Sequence, residues 1–316
     1  MADKHTVWFR SGCPKHLAAQ AAAAGVATVG PDFDERALAS IVIAGSEPYN
    51  AEVLDTLPDL VAVIRTGIGT DAVDFAACTE RGIAVDNTPD GPTTSTAEHA
   101  VALMMAVAHQ VPSSAARLAR GEGTSIVDYI SAQRSMELNG RTLGLIGSGR
   151  IGSAVIPMAQ AIGMNVVITD PAHPDSIPLD DLLAQSDVVS LHIPATPETI
   201  GMFDAATLAK MRPGSVLINC ARGKVVVTDD LVAALESGHL MGAGLDCTDP
   251  EPLGADHPLL HMDNVVVTPH VASSTIAGRQ RMERMAFDQA LTVLNGEPPS
   301  ELRNPDVLEH PRWKDS

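Results

Sequence analysis

Short apolar runs punctuate the first third of the chain at 6–9, 41–44, 60–64 and 83–85, and helical stretches at 16–24, 51–57 and 72–81 separate them. Runs of this length bounded by polar turns read as strands, and their alternation with helices predicts a parallel sheet covered on both faces. A long helical segment over 95–120 follows, in which Ala100, Leu103, Met104, Val107 and Ala108 recur at three- and four-residue spacing as one buried stripe. Pro112 should bend or interrupt it, and the polar stretch 121–124 reads as a surface loop. A second alternating series begins at Thr142 and continues through 165–170, 187–194, 215–221, 242–247 and 264–270. Asp204 and Thr228 stand where helix caps are expected, and a closing helix over 276–295 is stopped by Gly296 and Pro298. Two such series predict two α/β domains with doubly wound parallel sheets.

Composition narrows the class. The 316 residues are 45% hydrophobic, enough for two cores, and 39 acidic against 21 basic residues leave a net charge of −18. That charge argues against nucleic acid or an anionic membrane as partner. The four cysteines, Cys13, Cys78, Cys220 and Cys247, form no CxxC pair, and the N-terminus shows no basic segment followed by an apolar run. Free thiols, no secretory peptide and no run of about 18 apolar residues point to a cytoplasmic location.

The strand beginning at Leu143 runs into Gly147-Ser-Gly149-Arg150-Ile151-Gly152, and a helix follows with Ile151, Val155, Met158 and Ile162 at helical spacing. This places a GxGxxG in its strand–turn–helix context. Gly147 permits the tight turn, Gly149 lets backbone approach a pyrophosphate, and Gly152 lets helix and strand pack closely. Arg150 can lie over the pyrophosphate or in solvent. Asp170 ends the next strand eighteen residues past Gly152, where a carboxylate can accept both ribose hydroxyls. It would repel a 2′-phosphate, and Pro171-Ala172 supplies no neutralising arginine, so the expected cofactor is NAD rather than NADP.

Three more segments end expected strands: Asn219-Cys-Ala-Arg222-Gly223, the stretch from Asp246 to Glu251, and Thr268-Pro-His270. Strand carboxyl ends form the ligand rim of an open parallel sheet, so an arginine, an acid and a histidine aim at one crevice. Hydride loss from a hydroxyl carbon needs a base for the O–H proton and a cation for the substrate carboxylate and reacting oxygen. His270 suits the first role and Arg222 the second, while Glu251 would pair with the imidazole and fix its tautomer. No metal site is expected: His257 and His261 are four apart, but Pro258 opposes a regular helix between them. Cys220 and Cys247 read as small residues packed near the site rather than as nucleophiles.

With these blocks in view, the chain resembles the D-isomer-specific 2-hydroxyacid dehydrogenases, in particular their phosphoglycerate dehydrogenase-like branch, over nearly its whole length. The likeness is carried by Arg65-Thr-Gly-Ile-Gly, the block from Gly144 to Gly152, Leu191-His-Ile-Pro-Ala-Thr-Pro, Asn219-Cys-Ala-Arg-Gly, Gly244-Leu-Asp, Asp249-Pro-Glu-Pro and Val267-Thr-Pro-His-Val-Ala-Ser-Ser-Thr. It implies a Rossmann NAD-binding domain at 97–288, inserted into a flavodoxin-like substrate domain formed by 1–96 and completed by 289–316. It implies Arg222, Glu251 and His270 as the catalytic trio. Cys220, Ala221, Asp246 and Ala272 would flank the nicotinamide, Ile193 and Pro194 the adenosine half, and Thr93 would approach the cofactor. Arg65, Gly67, Ile68 and Gly69 would face the substrate carboxylate. The resemblance further implies a homodimer with the helical segment 95–120 at its interface, and a small 2-hydroxy or 2-keto acid as substrate.

Some positions depart from that pattern. Ala44 stands where the phosphoglycerate enzymes often carry an arginine, Pro92-Thr93 replaces Asn-Thr, and Ala272-Ser-Ser-Thr replaces Gly-Ala-Ser-Thr. A phosphate-binding cation is therefore missing and 3-phosphoglycerate is expected to be a weak substrate. 3-Phosphoglycerate dehydrogenation, phosphite or phosphonate-type oxidation on the same scaffold, and an NAD-sensing, corepressor-like binding role remain alternatives. Formate chemistry is disfavoured, because the formate enzymes carry glutamine where Glu251 stands.

Overall fold

The computed structural model describes residues 5–122, 125–132 and 134–314. Residues 1–4 of the N-terminus and positions 123 and 124 of the expected loop lie outside them. The chain forms two compact units, Met1–Pro92 with Thr275–Ser316, and Thr93–Ser274.

In the first unit, strands β1 (Thr6–Phe9), β2 (Ala27–Val29), β3 (Ile41–Ala44), β4 (Ala62–Arg65) and β5 (Ala84–Asn87) pair in parallel in the order β2-β1-β3-β4-β5. This is the flavodoxin-like order. Successive side chains in a strand point to opposite faces. Val7, Phe9, Ile41, Ile43 and Ile64 therefore meet Leu17 and Phe287 on one side, and Trp8, Val42, Val63 and Val85 meet Leu54 and Leu57 on the other. Phe287 is fully buried, a contribution of roughly 1.5–3 kcal/mol for a side chain of that size. It belongs to the helix Ile276–Leu294, which Thr275 caps by accepting the Gly278 N–H at 2.9 Å. The second half of that helix packs on the first sheet through Ala286, Phe287, Ala290 and Val293, and the first unit resumes at Thr275, where a division at 288 was expected. The three-residue β2 was not foreseen. Its side chains are only half-buried, and so short an edge strand leaves a weak apolar signal.

In the second unit, β6 (Thr142–Ile146), β7 (Asn165–Thr169), β8 (Val188–Leu191), β9 (Ser215–Asn219), β10 (Leu240–Leu245) and β11 (Val265–Val267) are all parallel, in the order β11-β10-β9-β8-β6-β7. A single bridge from Ile168 to Ser176 extends the sheet beyond β7, at the position of the third strand in a Rossmann sheet. Chain direction reverses about the sheet between β6 and β8, and the crevice at their carboxyl ends is the place such a topology reserves for a ligand.

The expected long helix is two, Thr93–Ala108 and Val111–Ala119, parted at Gln110, whose φ is +51°. Pro112 explains the break, because its ring would collide with the carbonyl four residues earlier, at Ala108, yet it is tolerated in a first turn. The first of these helices buries the expected stripe against β9 and β10 through Leu103 and Val107. Asp204 caps its helix as expected, accepting the Thr207 N–H at 2.8 Å. Thr228 does not cap. It is the first residue of the helix Thr228–Glu236, and its hydroxyl donates instead to the Asp249 carbonyl. Among the described residues no helix is long and apolar enough to cross a membrane.

Candidate active site

The glycine turn closes at the carboxyl end of β6. Gly147 has a φ of +88°, its N–H donates to Thr169 O at 2.9 Å, and a Cβ on it would lie 2.7 Å from the His192 carbonyl oxygen. Both conditions exclude a side chain. A Cβ on Gly152 would overlap the Gly147 carbonyl oxygen, so the helix Arg150–Ala161 sits this close to the turn only because that position is bare. Gly149, the residue before the helix, differs: a Cβ there would meet nothing within 4 Å. The space above the helix N-terminus is thus open, and its first N–H groups have no intrahelical partners.

Asp170 follows β7 and is tied to the same turn. Its Oδ2 accepts from the Ser148 N–H at 2.7 Å and the Ser148 hydroxyl at 2.9 Å, and its Oδ1 accepts from the Ala172 N–H at 2.9 Å. The Ser148 N–H first, and then that of Ala172, hold the carboxyl below the usual range and keep it charged. Each oxygen retains acceptor capacity for a ribose hydroxyl. These observations fit a dinucleotide: the open Gly149 position suits a pyrophosphate at the helix N-terminus, and the charged Asp170 suits a ribose. Arg150 is exposed, Ile151 half-buried, and Ile193 and Pro194 follow β8, with the Ile193 side chain directly beside Gly147. His192 is pushed down to about 4 by burial and is neutral near pH 7, with Nε2 2.9 Å from Ser190 Oγ.

Arg222 is carried by a loop that buried Asn219 builds. The Asn219 amide donates to Arg222 O and accepts from the Ala221 N–H, each at 3.0 Å. A Cβ on Gly223 would overlap the Thr248 carbonyl, so this loop lies directly on the one leading to Glu251. Arg222 Nη1 donates to Ala221 O at 2.7 Å, and the Cys247 thiol donates to the same carbonyl at 3.4 Å. His270 Nδ1 and Glu251 Oε1 are 2.7 Å apart with both side chains partly exposed. One ligand atom each of Cys247, Glu251 and His270 fall within 4.8 Å of one another. Through Ala221 O and Cys247, the arginine, the acid and the histidine are gathered at the carboxyl ends of β9, β10 and β11.

His270 has a φ of +53°, a conformation that L side chains rarely adopt. Asp246 holds it there. Its carbonyl accepts the His270 N–H at 2.9 Å, while its carboxylate accepts the N–H groups of Val271 and Ala272 at 2.9 and 3.0 Å and the Thr268 hydroxyl at 2.6 Å. His99, from the helix Thr93–Ala108, braces this knot, with Nε2 2.9 Å from Thr268 Oγ1 and 3.5 Å from Asp246 Oδ1. The sequence reading missed His99 as a functional residue. Its one signal is a histidine bordering an otherwise apolar stripe, and that marks no partner.

Cys220, Ala221 and Ala272 are buried beside the trio, and Thr93 begins the long helix. Burial pushes the Cys220 thiol up, and burial and then Asp246 push the Cys247 thiol up to about 12, so neither is a ready nucleophile. Arg65, Gly67, Ile68 and Gly69 belong to the first unit, at the end of β4. There Arg65 Nε donates to Gly69 O at 3.1 Å, Asn87 donates to Ile68 O at 2.6 Å, and the Gly67 N–H donates to Thr88 Oγ1 at 2.7 Å.

Comparison with known proteins identifies the family. The sequence model of the family described as D-isomer specific 2-hydroxyacid dehydrogenase, NAD binding domain, matches residues 101–272, more than half of the chain. Glyoxylate reductase from Korarchaeum cryptofilum is 38% identical over 273 residues, covering 84% of this chain and 82% of that protein. D-3-phosphoglycerate dehydrogenase from Archaeoglobus fulgidus is 37% identical over 268 residues, covering 82% of this chain and 50% of that longer protein. The crystal structure of the TT0316 protein from Thermus thermophilus has a TM-score of 0.85 at 38% identity, covering 94% of this chain and 99% of its own.

Proposed function

Because this chain belongs to the D-isomer-specific 2-hydroxyacid dehydrogenase family and is thereby an NAD-dependent oxidoreductase, we propose that it interconverts a small, unphosphorylated D-2-hydroxy acid and its 2-keto acid. Bound NADH supplies the hydride for the keto carbon. Arg222 binds the substrate carboxylate and polarises the keto oxygen, in a partly buried position where such a charge is more effective than in water. His270 delivers the proton to that oxygen in reduction and removes it in oxidation. Glu251, hydrogen-bonded to Nδ1, leaves Nε2 as the atom that handles the proton. The observation that carries this reading is the 2.7 Å contact between Glu251 and His270, gathered with Arg222 at one sheet edge.

Two features support a small acid without phosphate. Ala44 is fully buried at the end of β3, and the next N–H, at Gly45, is held by the carboxylate of Glu47 at 3.0 Å. Relatives 38% identical to this chain include a glyoxylate reductase and D-3-phosphoglycerate dehydrogenases alike, so the choice rests on Ala44 and Glu47. In this reading Arg65 and the backbone of Gly67, Ile68 and Gly69 bind substrate, and Thr93, Ile193, Pro194, Cys220, Ala221, Asp246 and Ala272 line the cofactor. Four free cysteines suit a reducing cytoplasm. The exposed apolar side chains of Met105, Val111, Leu118, Ile126, Val127 and Ile130 suit a homodimer interface. Sedimentation of the wild type and of Leu118→Glu tests the dimer.

The decisive assay is NADH oxidation with glyoxylate, hydroxypyruvate, pyruvate, bulkier 2-keto acids and phosphohydroxypyruvate. Glyoxylate and hydroxypyruvate should be turned over with the highest kcat/KM. Preference for the phosphorylated acid, or no turnover with any of them, overturns the reading.

A further inference from the structure

We propose that Cys247, Glu251 and His270 together form an inhibitory binding site for a thiophilic divalent cation, of which zinc is the type. Cys247 and Glu251 follow β10 and His270 follows β11, so the three meet only in the folded second unit.

The geometry is close to what such an ion needs. A four-coordinate zinc ion with sulfur at about 2.3 Å and nitrogen or oxygen at about 2.0 Å holds its ligand atoms roughly 3.2–3.8 Å apart. Here the three candidate ligand atoms fall within 4.8 Å of one another. The Glu251 and His270 side chains are 39% and 46% exposed, so they give the ion an entrance and can turn toward it, whereas Cys247 is 2% exposed and forms a fixed floor. Thiolate, imidazole and carboxylate are the donor set that zinc accepts.

The charges also close. Binding displaces the Cys247 proton to solvent, and the resulting thiolate with the Glu251 carboxylate neutralises the dication. The other charges acting on the thiol are Asp246, which favours a cation, and Arg222, which opposes one. A fourth position stays open toward solvent for water. The bound ion occupies the Glu251 carboxylate and an imidazole lone pair, so His270 can no longer pass a proton. This consequence rests on the catalytic role proposed above for His270, whereas the site itself does not.

The full chain is titrated with cobalt as a spectroscopic substitute for zinc, and separately with zinc during NADH-dependent glyoxylate reduction. One cobalt per chain should bind with a thiolate-to-cobalt charge-transfer band, and the band should vanish in Cys247→Ser and in Cys247→Val. Zinc should inhibit reversibly, with recovery on adding EDTA, and either substitution should raise the half-inhibiting zinc concentration about 100-fold, the scale expected when a soft ligand is lost. Absence of the band in the wild type, its survival in Cys247→Ser, or equal zinc sensitivity of wild type and variants overturns the proposal. A chain that reduces no keto acid but shows the Cys247-dependent band keeps the metal site and loses the proposed function.

Discussion

Replacing Asp86 by asparagine should stabilise the protein at pH 8 and leave it nearly unchanged at pH 4. Asp86 is fully buried in β5, and neither carboxyl oxygen makes a hydrogen bond of normal geometry among the described residues. Burial, with Glu301 adding to it, raises its carboxyl from 3.8 to about 6, while the Asn87 N–H and Arg303 offset this only in part. Below the unfolded value both states are protonated and the carboxyl costs nothing further. Between pH 4 and 6 the unfolded chain releases its proton while the folded chain keeps it, so stability falls as pH rises. Above pH 6 the loss is complete, and a shift of about two units corresponds to about 3 kcal/mol. Asparagine has nearly the same shape and no ionisation, so it removes the pH-dependent part. Urea unfolding of wild type and Asp86→Asn at pH 4, 5, 6, 7 and 8 measures it. The gain from the substitution should grow by about 3 kcal/mol from the lowest pH to the highest. A gain that is the same at pH 4 and pH 8 refutes the buried, uncompensated carboxyl.

Other expectations concern the site. Arg222→Ala and His270→Ala should each lower kcat/KM for glyoxylate more than about 100-fold, and near-normal rates in either would remove that residue from the chemistry. Gly152→Ala drives a Cβ into the Gly147 carbonyl, so NADH binding measured by fluorescence should weaken at least about 10-fold or the unit should unfold, and unchanged binding and stability contradict the close packing. Asp170→Ala should narrow the preference for NADH over NADPH by removing a charge that repels the 2′-phosphate, and steady-state kinetics with both cofactors showing an unaltered ratio counts against that role. Asp246→Asn sets an amide donor against the backbone N–H groups of the His270 loop, at a cost of about 1–3 kcal/mol for each buried group left unpaired. Its kcat should fall with the loop displaced, and retention of full kcat would show that the loop holds its form without the charge.

What could be read along the chain was whatever neighbours in sequence determine. The turn at Gly147, Gly149 and Gly152 is legible because a positive φ and the close approach of helix to strand are settled within six residues. Asp204 declares its helix through a bond to an N–H three positions on, and the apolar runs declare the strands because pleat alternation and burial act residue by residue. The order of chemistry-bearing segments at strand ends predicted that Arg222, Glu251 and His270 lie at one edge, since a parallel sheet sends all its strand ends there. Tertiary packing decided the rest. It laid the second half of the helix Ile276–Leu294 on the first sheet and gave Thr228 a distant partner in place of a cap. It also bent His270 into a left-handed conformation supported by the buried Asp246, which His99 braces. Such contacts join residues tens to well over a hundred positions apart, and their energies exist only once the sheet has brought them together.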